Sequence, residues 1–143
     1  AIRYFTVYGP RQRPDMAFNR FLRALILGQP ICLYGQGDQT RDFTFVEDAV
    51  ASTMMAGTNG HPGTAYNIGG GSRVSINEVL DLMQRITGRT ADIQRHDTQK
   101  GDVKDTHADT TLARTHLGFS PRVQLEDGIL AEYQWLLSTL SKH

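Results

Sequence analysis

Helical and strand periodicities take turns along this chain, and that alternation is the feature that most constrains its fold. Phe18, Phe21, Leu22 and Leu25 recur at i, i+3, i+4 and i+7, the stripe of an amphipathic helix, which Gly28 and Pro30 end. The short apolar run Ile31–Tyr34 follows at once and reads as a strand. Before the helix, Ile2–Tyr8 reads as an opening strand closed by Gly9-Pro10. After it, the turn residues 35–39 lead into a second strand, Asp42–Phe45. Val46, Ala49, Val50, Thr53 and Met54 give another helical stripe, Ala65–Ile68 another strand, and Ser75-Ile76-Asn77-Glu78 a capping box opening a helix on Ile76, Val79, Leu80, Met83 and Ile86. Ala91–Gln94 is a weak strand and Asp109 an N-cap for a helix through Leu117. Ile129, Tyr133, Leu136, Leu137 and Leu140 outline a long last helix. Such an order predicts an α/β fold of one-domain size.

Composition supports a packed core. Of 143 residues 39% are hydrophobic, and 15 basic side chains balance 15 acidic ones. A single cysteine, Cys32, lies in an apolar run, where a buried thiol is expected and no chemistry is assigned. No apolar stretch approaches the ~18 residues of a membrane span, so a soluble cytoplasmic protein with no membrane partner is expected. The strand that begins at Ala1 without a lead-in suggests a fragment.

The charge is unevenly spread. Residues 1–41 carry six Arg against Asp15 and Asp38, with no Lys at all. Arginine's planar fork suits phosphate or carboxylate. Nucleic acid is not the expected partner, since neither a basic run nor an interleaved aromatic array is present.

Two glycine clusters invite a nucleotide reading. Gly57–Gly63 has the spacing G-x-x-G-x-x-G, but it follows a helix and enters a strand, and Pro62 removes a donor, so it reads as a surface turn. Gly69-Gly70-Gly71 lacks the spacing and reads as a structural turn. Asp102, Asp105, His107 and Asp109 are close enough to suggest a metal, but no His pair at helical spacing accompanies them, and no metal site is expected. His61, His96, His116 and His143 have no identifiable acid partner, and no G-x-S-x-G elbow marks a hydrolase.

Three phrases carry a resemblance: Arg3–Ala17 (RYFTVYGPRQRPDMA), Tyr34–Phe43 (YGQGDQTRDF) and Tyr66–Gly71 (YNIGGG), continued by Gln99–Val103 and Thr106–Asp109. In this order they resemble the nucleotide-sugar epimerases and dehydratases of the extended short-chain dehydrogenase/reductases, most of all the UDP-glucuronate 4-epimerase branch. The resemblance implies the C-terminal part of a Rossmann-like fold, the last sheet strands plus the small substrate-binding domain. The NAD-binding part is missing: no Tyr has Lys four positions on, and no working glycine loop is present.

It also implies site residues. Arg41 matches the arginine on the nucleotide pyrophosphate and Arg13 a second arginine at the nucleotide-sugar site. Thr6, where many relatives have Asn, matches the position facing the hexose. The strand containing Ile31, Leu33 and Tyr34 matches the one bordering the base, and Tyr4 would flank the nicotinamide. Gln99 stands where many relatives carry a phosphate-binding Arg, with Lys100 or Arg95 as substitutes. Residues 1–143 are then expected to be the UDP-sugar-binding portion of an NAD-dependent C4 epimerase, inactive alone and with no NAD or metal of its own. Self-association is expected as a homodimer or larger, through orphaned strand edges or the helix faces after Ser75 and Leu125. A UDP-sugar decarboxylase or an NDP-hexose 4,6-dehydratase portion, or a non-catalytic binding or assembly module, is the alternative.

Overall fold

A computed structural model describes residues 1–98 and 104–141. The opening segment forms two short strands rather than one. β1 (Ile2–Tyr4) pairs in parallel with β6 (Tyr66–Ile68), and β2 (Val7–Tyr8) pairs in parallel with β5 (Thr44–Phe45). The chain changes partner at Phe5 and Thr6: Phe5 N–H donates to Ile68 O at 2.9 Å, and Thr44 N–H donates to Thr6 O at 3.0 Å. The expected strand Asp42–Phe45 is likewise divided. Its first part belongs to β4 (Thr40–Asp42), antiparallel to β7 (Arg73–Ser75), a strand that the sequence pattern does not reveal. β3 (Ile31–Tyr34) pairs in parallel with β8 (Ile93–His96), two residues beyond the expected Ala91–Gln94.

Three helices share one core. The stripes of α1 (Ala17–Leu27) and α3 (Ile76–Thr87) bury Phe18, Phe21, Leu22 and Leu25, and Ile76, Val79, Leu80 and Met83; α4 (Leu125–Leu140) adds Ile129 and Leu136. Tyr8, Phe18 and Phe43 pack ring on ring in this core, with centroids 4.6 to 6.3 Å apart. The capping box of α3 is complete. Ser75 Oγ accepts the Glu78 N–H at 3.2 Å, and the Glu78 carboxylate accepts the Ser75 N–H at 2.8 Å, which holds the Glu78 carboxyl below its ordinary pKa. The apolar faces of α3 and α4, expected to be open for self-association, are therefore covered by the chain's own core.

The helix whose apolar stripe does remain open is α2 (Val46–Asn59). Its buried residues are Asp48, Ala49 and Ser52, while Val50 and Met54 are 55% and 71% exposed. The expected stripe is thus split, because this helix turns toward a second cluster of Tyr66, Ile68, Ala113, Leu117 and Phe119, where Met55 and Ala56 pack. Asp109 accepts the Thr111 N–H at 3.0 Å and starts the next helical segment, which winds as a π-helical turn over Ala113–Leu117. Cys32 is half-buried rather than buried, since β3 points Ile31 and Leu33 into the core and its other two residues the opposite way. Among the described residues no helix is long and apolar enough to cross a membrane.

Gly70 sits against the break between β4 and β5. A Cβ there would run into the carbonyl oxygen of Phe43, which is backbone and cannot swing aside. Gly70→Ala is expected to cost about 2–4 kcal/mol, the scale of a clash that shifts backbone in a packed region. Urea unfolding of the variant measures it, and a loss under about 0.5 kcal/mol would contradict this packing.

Candidate functional site

Open α/β sheets take ligands beyond the carboxyl ends of their parallel strands. At the end of β2 the chain enters the loop Gly9–Arg13, and beside it β5 runs straight into α2. Gln12 organises the loop: its side chain donates to Val7 O at 3.0 Å and accepts the Asn19 N–H at 2.9 Å, while its backbone carbonyl accepts from the buried Asn19 side chain at 2.8 Å. These bonds stand α1 against the loop. The loop walls a cavity of about 290 Å³ with Val7, Tyr8, Pro10, Arg13, Met16 and Val46. Arg13 is exposed here and pairs with Asp15 at 3.0 Å. Thr6 lies just before β2, half-buried. Tyr4, 43% exposed, shares a hydrogen bond with Thr53 of α2.

A second cavity, of about 200 Å³, opens at the end of β3 between Tyr34, Gly35, Gln36, Asp38, Thr98 and Lys104. Ile31 and Leu33 face the core, so a ligand beside β3 would meet their backbone only, whereas Tyr34 is exposed with its ring 5.8 Å from that of His96. Arg95 donates to Gln36 O at 2.6 Å on the same rim. Arg41 is half-buried on β4, where its guanidinium donates to Thr40 O at 2.8 Å. Gln99, Lys100 and Asp102 lie outside the described residues. Arg13 thus belongs to the cavity after β2 and Tyr34 to the one after β3, with Arg95 tied to Gln36 of its wall.

The described members of the acidic cluster, Asp105, His107 and Asp109, take structural roles. Asp105 binds Thr40 and Arg73, Asp109 accepts the Thr111 N–H, and His107 lies 3.6 Å from Asp42. Among the described residues no three His, Cys, Asp or Glu side chains converge as metal ligands would. His61 stacks on His116 with centroids 4.1 Å apart.

Among the described residues three buried carboxylates were not singled out by the sequence, and all three bind backbone. Asp42, next to Arg41, accepts the N–H groups of Gly70 at 2.7 Å and Ala108 at 3.2 Å. Asp48 accepts those of Arg122 and Val123, at 3.1 and 3.2 Å, and so ties the approach of α4 to α2. Glu132 accepts the Gly9 N–H at 2.8 Å, and its burial, opposed only by that bond, raises its pKa to about 7. Burial with nearby carboxylates also pushes the Tyr8 hydroxyl upward. A signal for Glu132 existed, because it stands three residues after Ile129 and four before Leu136, on the apolar stripe of α4.

Residues 1–69 match the NAD dependent epimerase/dehydratase family. The chain is 36% identical over 135 residues to the UDP-glucuronate 4-epimerase of Thermodesulfobacterium geofontis, covering 94% of this chain and 42% of that protein. A UDP-glucose epimerase of Bacillus subtilis, itself uncharacterised, is 40% identical over 138 residues, covering 96% of this chain and 44% of the relative. Among solved structures, the UDP-glucuronic acid 4-epimerase of Bacillus cereus in complex with UDP-glucuronic acid and NAD superposes with a TM-score of 0.93 at 40% identity, over 96% of this chain and 45% of that one. The chain therefore spans less than half the length of these relatives and has the epimerase fold over that part. With motifs, architecture and relatives in agreement, the chain belongs to the NAD-dependent epimerase/dehydratase family.

Proposed function

We propose that residues 1–143 are the nucleotide-sugar-binding portion of an NAD-dependent epimerase whose complete form inverts C4 of a UDP-hexuronate through a 4-keto intermediate. One observation carries this reading: the chain superposes with a TM-score of 0.93 on part of an enzyme solved with UDP-glucuronic acid and NAD. In this reading Arg41 holds the pyrophosphate, Arg13 is a second cation at the nucleotide sugar, Thr6 faces the hexose, and the β3 end with Tyr34 borders the base. Gln99 occupies the further phosphate position, and Arg95 or Lys100 supplies the charge that it lacks.

NAD, when bound in the complete enzyme, accepts and returns the hydride. The described residues do not fit its pyrophosphate. Gly57–Gly63 connects α2 to β6 and Gly69–Gly71 connects β6 to β7, so neither turn opens a helix whose N–H groups could face a phosphate. Tyr4 remains the one side chain here assigned to the nicotinamide. The chain alone is accordingly expected to bind no NAD and to be inactive, and its placement is cytoplasmic. Incubation with UDP-glucuronate and NAD, scored for UDP-galacturonate, checks this, and turnover at an enzyme-like rate would contradict it.

Calorimetry with UDP-glucuronate tests the binding role. A charge-assisted bond to phosphate is worth about 1.5–3 kcal/mol, so Arg41→Ala should bind roughly 10- to 150-fold more weakly. Equal binding by wild type and variant removes the pyrophosphate role. Self-association as a homodimer or larger, through the edges of β1 and β6 or the exposed Val50 and Met54 of α2, is part of the same reading. Light scattering at micromolar concentration should give at least twice 15.9 kDa.

A further inference from the structure

Glu132 lies midway along α4, fully buried, and reaches across the core to a residue 123 positions earlier in the chain. One carboxylate oxygen takes the Gly9 N–H at 2.8 Å; the other has no hydrogen-bond partner among the described residues. Burying a carboxylate on such terms is costly, and an apolar side chain of similar size would fill the space at lower cost. The bond to Gly9 is what distinguishes a carboxylate here. Gly9 is itself under constraint, with φ +130° and no room for a Cβ, which would lie 2.8 Å from Val46 and 2.9 Å from the Phe45 ring. Its carbonyl then closes a turn by accepting the Gln12 N–H at 3.0 Å, and within that turn Arg11 is the one non-glycine among the described residues with positive φ, at +70°. Arg13 leaves the turn immediately afterwards.

We propose that Glu132 is a positioning residue for the nucleotide-sugar site: by holding the Gly9 amide it sets the turn Gly9–Gln12 and hence the direction in which Arg13 leaves it. The role of Arg13 rests on the function proposed above; the anchor on Gly9 does not. The other ionisable groups around Glu132 are few. Tyr8 of β2 couples to it, and Asp48 of α2 and Asp127 of α4 act on Tyr8 in turn. On α1, Arg20 is exposed and Arg23 half-buried with a buried Nε that has no hydrogen-bond partner among the described residues; on α3, Glu78, Asp81 and Arg85 are exposed.

The test uses the full chain as wild type, Glu132→Gln and Glu132→Leu, with two readouts. The first is the Gly9 amide resonance between pH 5 and 9. It should move with a midpoint near 7 in the wild type and stay fixed in Glu132→Gln. The second is the Kd for UDP-glucuronate by calorimetry at pH 8. Glu132→Leu should bind about tenfold more weakly, while Glu132→Gln, which keeps an acceptor for Gly9, stays within about threefold. A Gly9 amide resonance that is the same in wild type and Glu132→Gln at every pH overturns the anchor, and this reading holds even if Glu132→Leu fails to fold. Glu132→Leu binding as tightly as wild type overturns the positioning of Arg13. A wild type that binds no UDP-glucuronate while its Gly9 amide titrates refutes the nucleotide-sugar reading and upholds the anchor.

Discussion

Asp42→Ala should lose about 2–6 kcal/mol of stability, a large part of the roughly 5–15 kcal/mol typical of a folded domain. The carboxylate is fully buried and each oxygen serves a different backbone group, Oδ1 the Gly70 N–H and Oδ2 the Ala108 N–H. Truncation strands both donors, and each buried donor without a partner costs about 1–3 kcal/mol. Asp42→Asn separates the two contributions, because its amide oxygen can serve one N–H while its NH₂ meets the other donor head-on. Urea denaturation at neutral pH is the measurement. A loss below about 1 kcal/mol for Asp42→Ala would mean that the turn after β6 and the segment around Ala108 do not depend on this side chain, and Arg41, its neighbour on β4, would lose a fixed platform.

Glu132→Gln should do the reverse and stabilise the chain, increasingly so as the pH rises above about 5. The folded-state pKa of Glu132 stands at about 7 against an ordinary 4.5, raised by burial. A raised pKa means that the folded chain holds the proton more tightly than the unfolded chain. The corresponding stability is complete below pH 4.5 and is lost as the pH climbs through about 7. At 1.36 kcal/mol per pH unit the interval amounts to about 3 kcal/mol. Wild type should weaken by that order between pH 4.5 and 8, the Glu132→Gln chain should not, and the two should converge near pH 5. Parallel curves for the two proteins across this range would show that Glu132 does not carry a buried charge at pH 8.

The features that the sequence disclosed and those that it hid trace to the same physics. The stripes of α1 and α3 were legible because side chains with a 3.6-residue period have one way to be buried, and Phe18, Leu22, Val79 and Met83 are all in the core. Val50 and Met54 broke the pattern on α2, since apolar periodicity marks a helix without saying which neighbour is present to cover it. Strand pairing was not legible. An alternating run such as Ile2–Tyr8 has two edges, and nothing in its own residues says that it takes β6 along its first half and β5 along its second. The arginine-rich first third pointed to anion binding, but the parts assigned to Arg13, Arg41 and Thr6 came from the resemblance. Asp42 and Asp48 stayed hidden because an Asp usually marks solvent and their partners are distant in sequence, whereas Glu132 stood on the apolar stripe of α4.

The pairing of the strands bears on how the chain reaches this state at all. Parallel ladders join residue 2 to 66, 7 to 44 and 31 to 93, and even the antiparallel pair joins 42 to 73. Among the described residues there is no hairpin through which a sheet could nucleate locally. Every ladder must wait until a long loop has been closed against its entropy, and that cost is met before any strand–strand bond forms. Helices α1 and α3, with local hydrogen bonds and, in α3, a complete cap, are the elements able to form first. Folding should therefore run at the slow end for a chain of this length, with helical signal preceding the sheet and the parallel edges of β1 and β6 the last to find each other.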